Sequence, residues 1–179
     1  MPVAPTYFTA EMARALPDDG NRYEVVWGEL LVNPSPVFDH QAAVGNVFLR
    51  LTDFCQRTGY GRAMLSPADI SWSEDTLVQP DVFVMASDEA ATRNWRKIRT
   101  LLLVVEGLSP STAKHDRFQK RKLCQAHGVG TLWLVDPAKR VVEVWTPERL
   151  FPAVETERLR WHPTGAAKPL IIGIDALFA

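Results

Sequence analysis

The sequence predicts an α/β or α+β sandwich, a mixed β-sheet flanked by α-helices, and three observations carry the prediction. At 179 residues, with 46% hydrophobic and 23% charged, the chain has the size and composition of one soluble globular domain spanning residues 1–179. Two hairpin patterns stand on either side of a continuous apolar run that is followed by a charged helix, an order that builds a sheet with helices packed against it. One segment, His40 to Arg57, is strongly amphipathic: Val44, Val47, Phe48, Leu51, Phe54 and Cys55 follow the spacing of a single helix face.

Taken in order, Thr9 caps a short helix through Leu16, which the Pro17-Asp18-Asp19-Gly20 cluster ends. Tyr23–Val26 and Glu29–Val32 form strands around the two-residue connection Trp27-Gly28. Gly59 closes the long helix. Arg62–Trp72 and Leu77–Met85 read as two further strands, and Leu101–Val105 as a strand covered on both faces. A charged helix runs from about Lys114 to His127, with Gly128 at the left-handed stop position. Thr131–Val135 and Val141–Trp145 form the second hairpin, and Leu170–Ile174 a last strand.

Composition excludes several classes. The longest run of purely aliphatic residues, Leu101–Val105, is far short of the ~20 residues that span a bilayer, so no membrane association is expected. The opening MPVAPTYFTAEM has neither the basic region nor the apolar core of a secretory signal. Cys55 and Cys124 are too few for a disulfide framework, and the expected location is the cytoplasm. The net charge of −1 conceals an asymmetry. Between Arg93 and Lys122 stand nine basic residues against two acids, a local +7 that leaves −8 for the rest of the chain. A solvated helix face explains such a run, and so does a surface for a phosphodiester substrate.

Two carboxylates stand out. Asp81 follows Pro80 at the head of an apolar strand, and Glu106 ends the apolar run. An acid flush with an apolar strand is costly unless paired or bound to a cation. One alone reads as a strand-end carboxylate accepting turn N–H groups. Two on neighbouring strands suit a hard dication such as Mg²⁺, with the Gly107 carbonyl as a further ligand. On an ideal helix with Asp116 at zero, Lys120 falls at about 40°, Leu123 at about 340° and Cys124 at about 80°, so Lys120 shares their stripe. There it either snorkels, pairs with Asp116, or stabilises charge developing on a phosphate. Arg117, Arg121 and Lys122 point elsewhere, toward solvent or DNA phosphates.

Pro80-Asp81, Val104-Val105-Glu106-Gly107-Leu108-Ser109-Pro110-Ser111-Thr112, Asp116 and Lys120 together resemble the bacterial "putative restriction endonuclease" family of the PD-(D/E)xK nuclease superfamily. The resemblance takes in Tyr23-Glu24, Gly28-Glu29-Leu30, His40, Ser66-Pro67-Ala68-Asp69, Gly128-Val129 and Trp133-Leu134-Val135-Asp136-Pro137, roughly residues 22 to 146. It implies a restriction-endonuclease-like α/β core in which Asp81 and Glu106 hold Mg²⁺, or Mn²⁺, and a lysine assists the attacking water. Leu108 occupies the position of the superfamily's usual lysine, and in this family the lysine lies on the following helix, which matches Lys120. Cys124 stands where the family has a tyrosine, which removes an accessory hydroxyl, and Gly107 where it has a bulkier apolar residue, a change that merely loosens a strand end.

A plain reading makes His40 a helix-start histidine bonded to the backbone or Asp39; the resemblance turns it toward the metal site. Asp69 is an outer acid on a strand beside that of Asp81. Glu24 and Glu29 read as solvent-facing strand carboxylates.

Rival motifs fail. Gly107-Leu108-Ser109-Pro110-Ser111 cannot be a serine-hydrolase elbow, because Pro110 lacks the N–H that would serve the oxyanion. Cys124-x-x-His127 has no second pair at zinc spacing, and no phosphate-binding glycine loop is present. The expectation is a Mg²⁺-dependent DNA endonuclease, working as a two-fold homodimer to cut both strands; the alternative is a catalytically silent binding module on the same fold.

Overall fold

The computed structural model describes residues 7–179; residues 1–6, the start of the stretch examined for a secretory signal, lie outside the described residues. A six-stranded mixed sheet forms the centre, in the order β3 (Arg62–Leu65), β5 (Val82–Met85), β6 (Leu101–Gly107), β7 (Leu132–Asp136), β8 (Val141–Trp145) and β9 (Ala153–Glu155). Among its paired strands only β6 and β7 run parallel, joined by a helical crossover that returns the chain to the same end. A smaller sheet, against which α1 (Ala10–Arg14) packs, has the order β2 (Glu29–Asn33), β1 (Arg22–Val26), β4 (Thr76–Leu77); β10 (Arg158–Trp161) pairs with β11 (Leu170–Gly173), and α3 (Ser87–Ala91) follows β5.

The mixed sheet with flanking helices is the architecture expected from the sequence. Residues of the central strands alternate between two apolar layers. Val82, Val84, Leu103, Val105, Trp133 and Val135 face α2 (Phe38–Thr58) and the β10–β11 hairpin. Phe83, Met85, Val104, Leu132 and Leu134 face the other way. On that side they meet Val26 and Leu31 of the small sheet and Leu123 and Cys124 of α5 (Arg121–Ala126). The period-two alternation of a sheet buried on both faces thus puts α2 and α5 on opposite sides of the same strands.

Local chemistry sets the turns. Trp27 and Gly28 both have positive φ, 49° and 80°, the conformation that a two-residue hairpin turn needs to match strand twist. Gly59 ends α2 at φ 69° and donates its N–H to the Cys55 carbonyl.

Three expectations are corrected. The strand expected over Arg62–Trp72 ends at Leu65: Pro67 has no N–H to extend the ladder, and beyond it only an isolated Ile70–Val78 bridge forms. The strand expected over Leu77–Met85 splits at Pro80, so Thr76–Leu77 joins β1 in the small sheet while Val82–Met85 joins the central one. The charged helix is not uniform. It begins as α4 (Ala113–His115), widens into a π-helical turn at Asp116–Lys120, and continues as α5.

Trp133 has no exposed surface and packs edge-on to Trp161, tying the β10–β11 hairpin to the sheet. Trp133→Ala is expected to cost about 3–5 kcal/mol in chemical denaturation, the scale for deleting a large buried aromatic.

Candidate active site

The two acids are brought together by strand register. Val82 pairs with Val105 across antiparallel β5 and β6, so one step further Asp81 opposes Glu106. Directly opposed residues of such a pair carry Cβ atoms about 5 Å apart on one face. The Asp81 carboxylate accepts the N–H of Gly107 at 2.9 Å, the Arg22 guanidinium at 2.9 Å and the His40 Nε2–H at 3.0 Å. Two carboxylate oxygens offer about four acceptor positions, so these three donors leave Asp81 one.

Lys120 is buried, and its ammonium stands at the centre of three carboxylates: Glu24 at 2.7 Å, Glu106 at 3.2 Å and Asp116 at 3.5 Å. The π turn makes this possible. Asp116 accepts the backbone N–H of Arg121 five residues on, which widens the helix by a residue and turns both Asp116 and Lys120 inward, while Phe118 points out to solvent. An ideal helix wheel contains no such turn.

Glu24 corrects the expectation of a solvent-facing strand acid. It is buried on β1, receives Lys120 and the Asn33 side chain on one oxygen, and takes the Gln79 backbone N–H at 2.6 Å on the other. Arg22, also on β1, was not singled out by sequence reading, and it is the cation nearest Asp81. Period-two burial could have flagged Glu24, since Tyr23–Val26 is an apolar strand with one acid inside it. Glu29 remains exposed and receives the Gln119 side-chain amide.

The electrostatics divide the two central acids. Burial works to raise the Asp81 carboxyl, but the His40 hydrogen bond and the Arg22, His40 and Lys120 charges hold it at about 2. Burial pushes the Glu106 carboxyl well above its usual value; Lys120 opposes this, and the Asp81, Asp116 and Glu24 carboxylates add to it. Burial works against the Lys120 charge as well, yet Glu106, Glu24 and Asp116 overcome it and keep the ammonium protonated. Ionised together, the four carboxylates (Glu24, Asp81, Glu106, Asp116) outnumber the two permanent cations, Arg22 and Lys120, an excess that adds to burial in pushing Glu106 and Asp116 up. That surplus of negative charge, carried on oxygen with acceptor positions free on Asp81 and Glu106, fits a hard dication. Among the described residues, no three His, Cys, Asp or Glu side chains are arranged to hold a metal ion by themselves. An ion here would complete its shell with water and substrate oxygens, as Mg²⁺ commonly does.

His40, buried at the start of α2, reaches Asp81 only because residue 107 is glycine. A Cβ built on Gly107 would lie 2.6 Å from His40 Nε2. The small residue therefore makes room for an imidazole, rather than merely loosening a strand end. Asp69 is not brought to the pair. It lies in the loop after Pro67, where it accepts the Gln79 side chain at 2.8 Å and Arg14 at 3.4 Å; its only link inward is Gln79, whose backbone N–H serves Glu24. Arg117 is engaged by Glu143 at 2.7 Å and Asp136 at 3.4 Å. Arg121 lies over the Trp145 ring and donates to the Arg117 carbonyl and the Gln125 side chain. Of these three basic residues, Lys122 alone is fully exposed.

Two predictions follow from the geometry. Gly107→Ala is expected to destabilise by about 1–3 kcal/mol through overpacking against the imidazole, and to do so far less in a His40→Ala background, which a double-mutant cycle by denaturation measures. A carboxyl whose pKa is higher folded than unfolded weakens the fold as pH climbs past the unfolded value, and the penalty is complete above the folded one. In the metal-free protein, Glu106→Gln is therefore expected to raise Tm by about 2–6 °C at pH 8 and to change it little near pH 4.5, where the native acid is already protonated.

Comparisons with known proteins bear on the fold and the family. The structure superposes with a TM-score of 0.80 on the crystal structure of a protein from Anabaena variabilis described as a "putative nuclease"; the match covers 96% of this chain and 97% of that one at 22% identity, and shows a shared fold. No curated protein sequence matches the chain. A family model described as "Putative restriction endonuclease" matches residues 10–165, and the chain belongs to that nuclease-type family, Uma2.

Proposed function

We propose that the chain is a divalent-metal-dependent endonuclease that hydrolyses DNA phosphodiester bonds. The observation that carries this reading is the Lys120 ammonium 3.2 Å from Glu106, the residue that opposes Asp81 across adjacent strands. Asp81 and Glu106 hold Mg²⁺, or Mn²⁺ in its place, with the Gly107 carbonyl as a further ligand. When bound, the ion supplies Lewis acidity and positive charge beside the scissile phosphate.

The residues of the chain do the rest. Arg22 and His40 keep Asp81 ionised and fixed in direction. Glu24 and Asp116 hold the Lys120 ammonium in place, so no reorganisation is needed when negative charge develops on the phosphoryl oxygens. Lys120 also orients the water that attacks phosphorus; a P–O bond to the water oxygen forms as the P–O bond to one sugar breaks, the water gives up a proton to solvent, and the sugar oxygen takes one from solvent and leaves as a hydroxyl. Lys122 meets the DNA backbone directly, while Arg117 and Arg121, partly spent on Glu143, Asp136 and Trp145, order the wall behind it. A two-fold homodimer would bring one such centre to each strand.

A catalytically silent module gains nothing from this arrangement. Burying four carboxylates costs several kcal/mol per unpaired charge, and a binding surface for a polyanion would be weakened by them.

Lys120→Ala is expected to lower plasmid cleavage in Mg²⁺ by roughly a hundredfold or more, the scale for losing one preorganised charge, while duplex affinity measured by fluorescence anisotropy stays nearly constant. Cleavage by this variant at the wild-type rate, in protein shown by circular dichroism to be folded, contradicts the proposal.

A further inference from the structure

The basic segment from Arg93 to Lys122 does not act as one surface. Its C-terminal part lies at the candidate active site, where Arg117, Lys120 and Arg121 are all engaged within the molecule. Its N-terminal part, Arg93-Asn94-Trp95-Arg96-Lys97-Ile98-Arg99, carries four cations and no acid in seven residues. This loop precedes β6, whereas Glu106 is near the end of that strand. Five residue rises of about 3.3 Å, about 17 Å, separate Leu101, where the strand leaves the loop, from Glu106.

The loop is built to present charge. Every residue from Ala91 to Lys97 is exposed, and Ile98, 1% exposed, anchors the segment in the core. The Glu89 carboxylate staples its far end by accepting the N–H groups of Arg99 and Thr100 and the Thr100 hydroxyl, all within 2.9 Å. Asn94 caps the turn at Trp95–Lys97 by accepting the Arg96 N–H. The Trp95 ring leans edge-on against Phe83 while 36% of the residue stays exposed. Arg93 is held at φ 52°, a left-handed conformation that a long side chain adopts only at a cost. Among the described residues, neither Arg93 nor Lys97 has a side-chain partner; Arg96 has only the exposed Glu11, at 3.3 Å. Glu89, the nearest acid in sequence, is spent on the staple, so the loop backbone is held in place while the Arg93 and Lys97 charges are left without a partner among the described residues.

We propose that the Arg93–Arg99 loop is a second docking surface for duplex DNA, gripping the phosphate backbone away from the scissile bond. The inference rests on the nuclease reading and extends it by assigning where the substrate's flank is held. Exposed cations around a half-exposed indole match a polyanion with apolar sugar edges, and a strand of ~17 Å between loop and site is the length of about five base pairs at 3.4 Å each. A duplex held at both places is positioned along its axis before either strand is cut, which the few free charges at the site itself would not achieve.

The test compares Arg93→Gln/Arg96→Gln/Lys97→Gln with a control of equal charge loss, Arg50→Gln/Arg158→Gln/Lys168→Gln, whose residues are exposed on α2, on β10 and before β11. Anisotropy titrations of a labelled duplex of about 20 base pairs, without divalent ions, give affinity against salt concentration. The loop triple is expected to lower the slope of log affinity on log salt by about two to three units and to weaken binding at least tenfold, with the control close to wild type. If the loop triple binds like wild type, or the control loses as much, the docking surface is wrong and the nuclease reading stands. If the wild-type protein binds no duplex, the nuclease reading falls and the docking surface with it.

Discussion

A lysine ammonium taken out of water has to be met by carboxylates, and that requirement organises this protein. Lys120 comes from a helix, Glu24 from the small sheet, Glu106 from the central sheet, and Asp116 from the same helix a turn earlier. The ion cluster therefore ties together three elements that also share one apolar layer. Each group is costly to bury alone, and together they compensate one another only in part, because the acids outnumber the cations. The remaining negative charge is what gives the cluster its chemical character. Glu106, pushed up by burial and by three other carboxylates, gains most from an added cation; Asp81, already held ionised by Arg22 and His40, is ready to share it.

Much of this was legible from residue patterns. An acid flush with an apolar strand is rarely accidental, so Asp81 and Glu106 announced themselves, and their neighbouring strands supply the opposed register. Lys120 was legible because it shares a stripe with Leu123 and Cys124. What was not legible depends on long-range pairing. Glu24 looks like any strand acid in a hairpin until Asn33, Gln79 and Lys120, from three parts of the chain, are seen to converge on it. The π turn was equally hidden, since helical periodicity assumes a constant angle per residue and one added residue breaks it. Proline was underweighted: Pro67 and Pro80 cut two expected strands, moving Thr76–Leu77 into another sheet and leaving Asp69 in a loop. The strands at Ala153–Glu155 and Arg158–Trp161 are short and largely exposed along alternate positions, too weak a pattern to stand out.

Gly107 shows how one position can be read two ways. As a departure from a bulkier residue it suggested a loosened strand end, yet its missing Cβ is the space that His40 occupies. The same residue donates its N–H to Asp81, so imidazole, glycine and carboxylate form one unit. The basic residues divide in a comparable way. Those beside the acids are committed to partners within the fold, whereas the loop before β6 carries charge that the fold does not consume. A cluster with surplus negative charge cannot attract a polyanion by itself, and the proposed separation of docking cations from the carboxylate cluster resolves that conflict.

The central claim, that the carboxylate cluster is a cation centre facing a phosphodiester, is tested most directly by anomalous diffraction from crystals soaked in Mn²⁺. A single strong anomalous peak is expected within about 2.0–2.5 Å of both an Asp81 and a Glu106 oxygen, absent in Glu106→Gln. Full occupancy of Mn²⁺ at another site, with no peak between these two carboxylates, would contradict it.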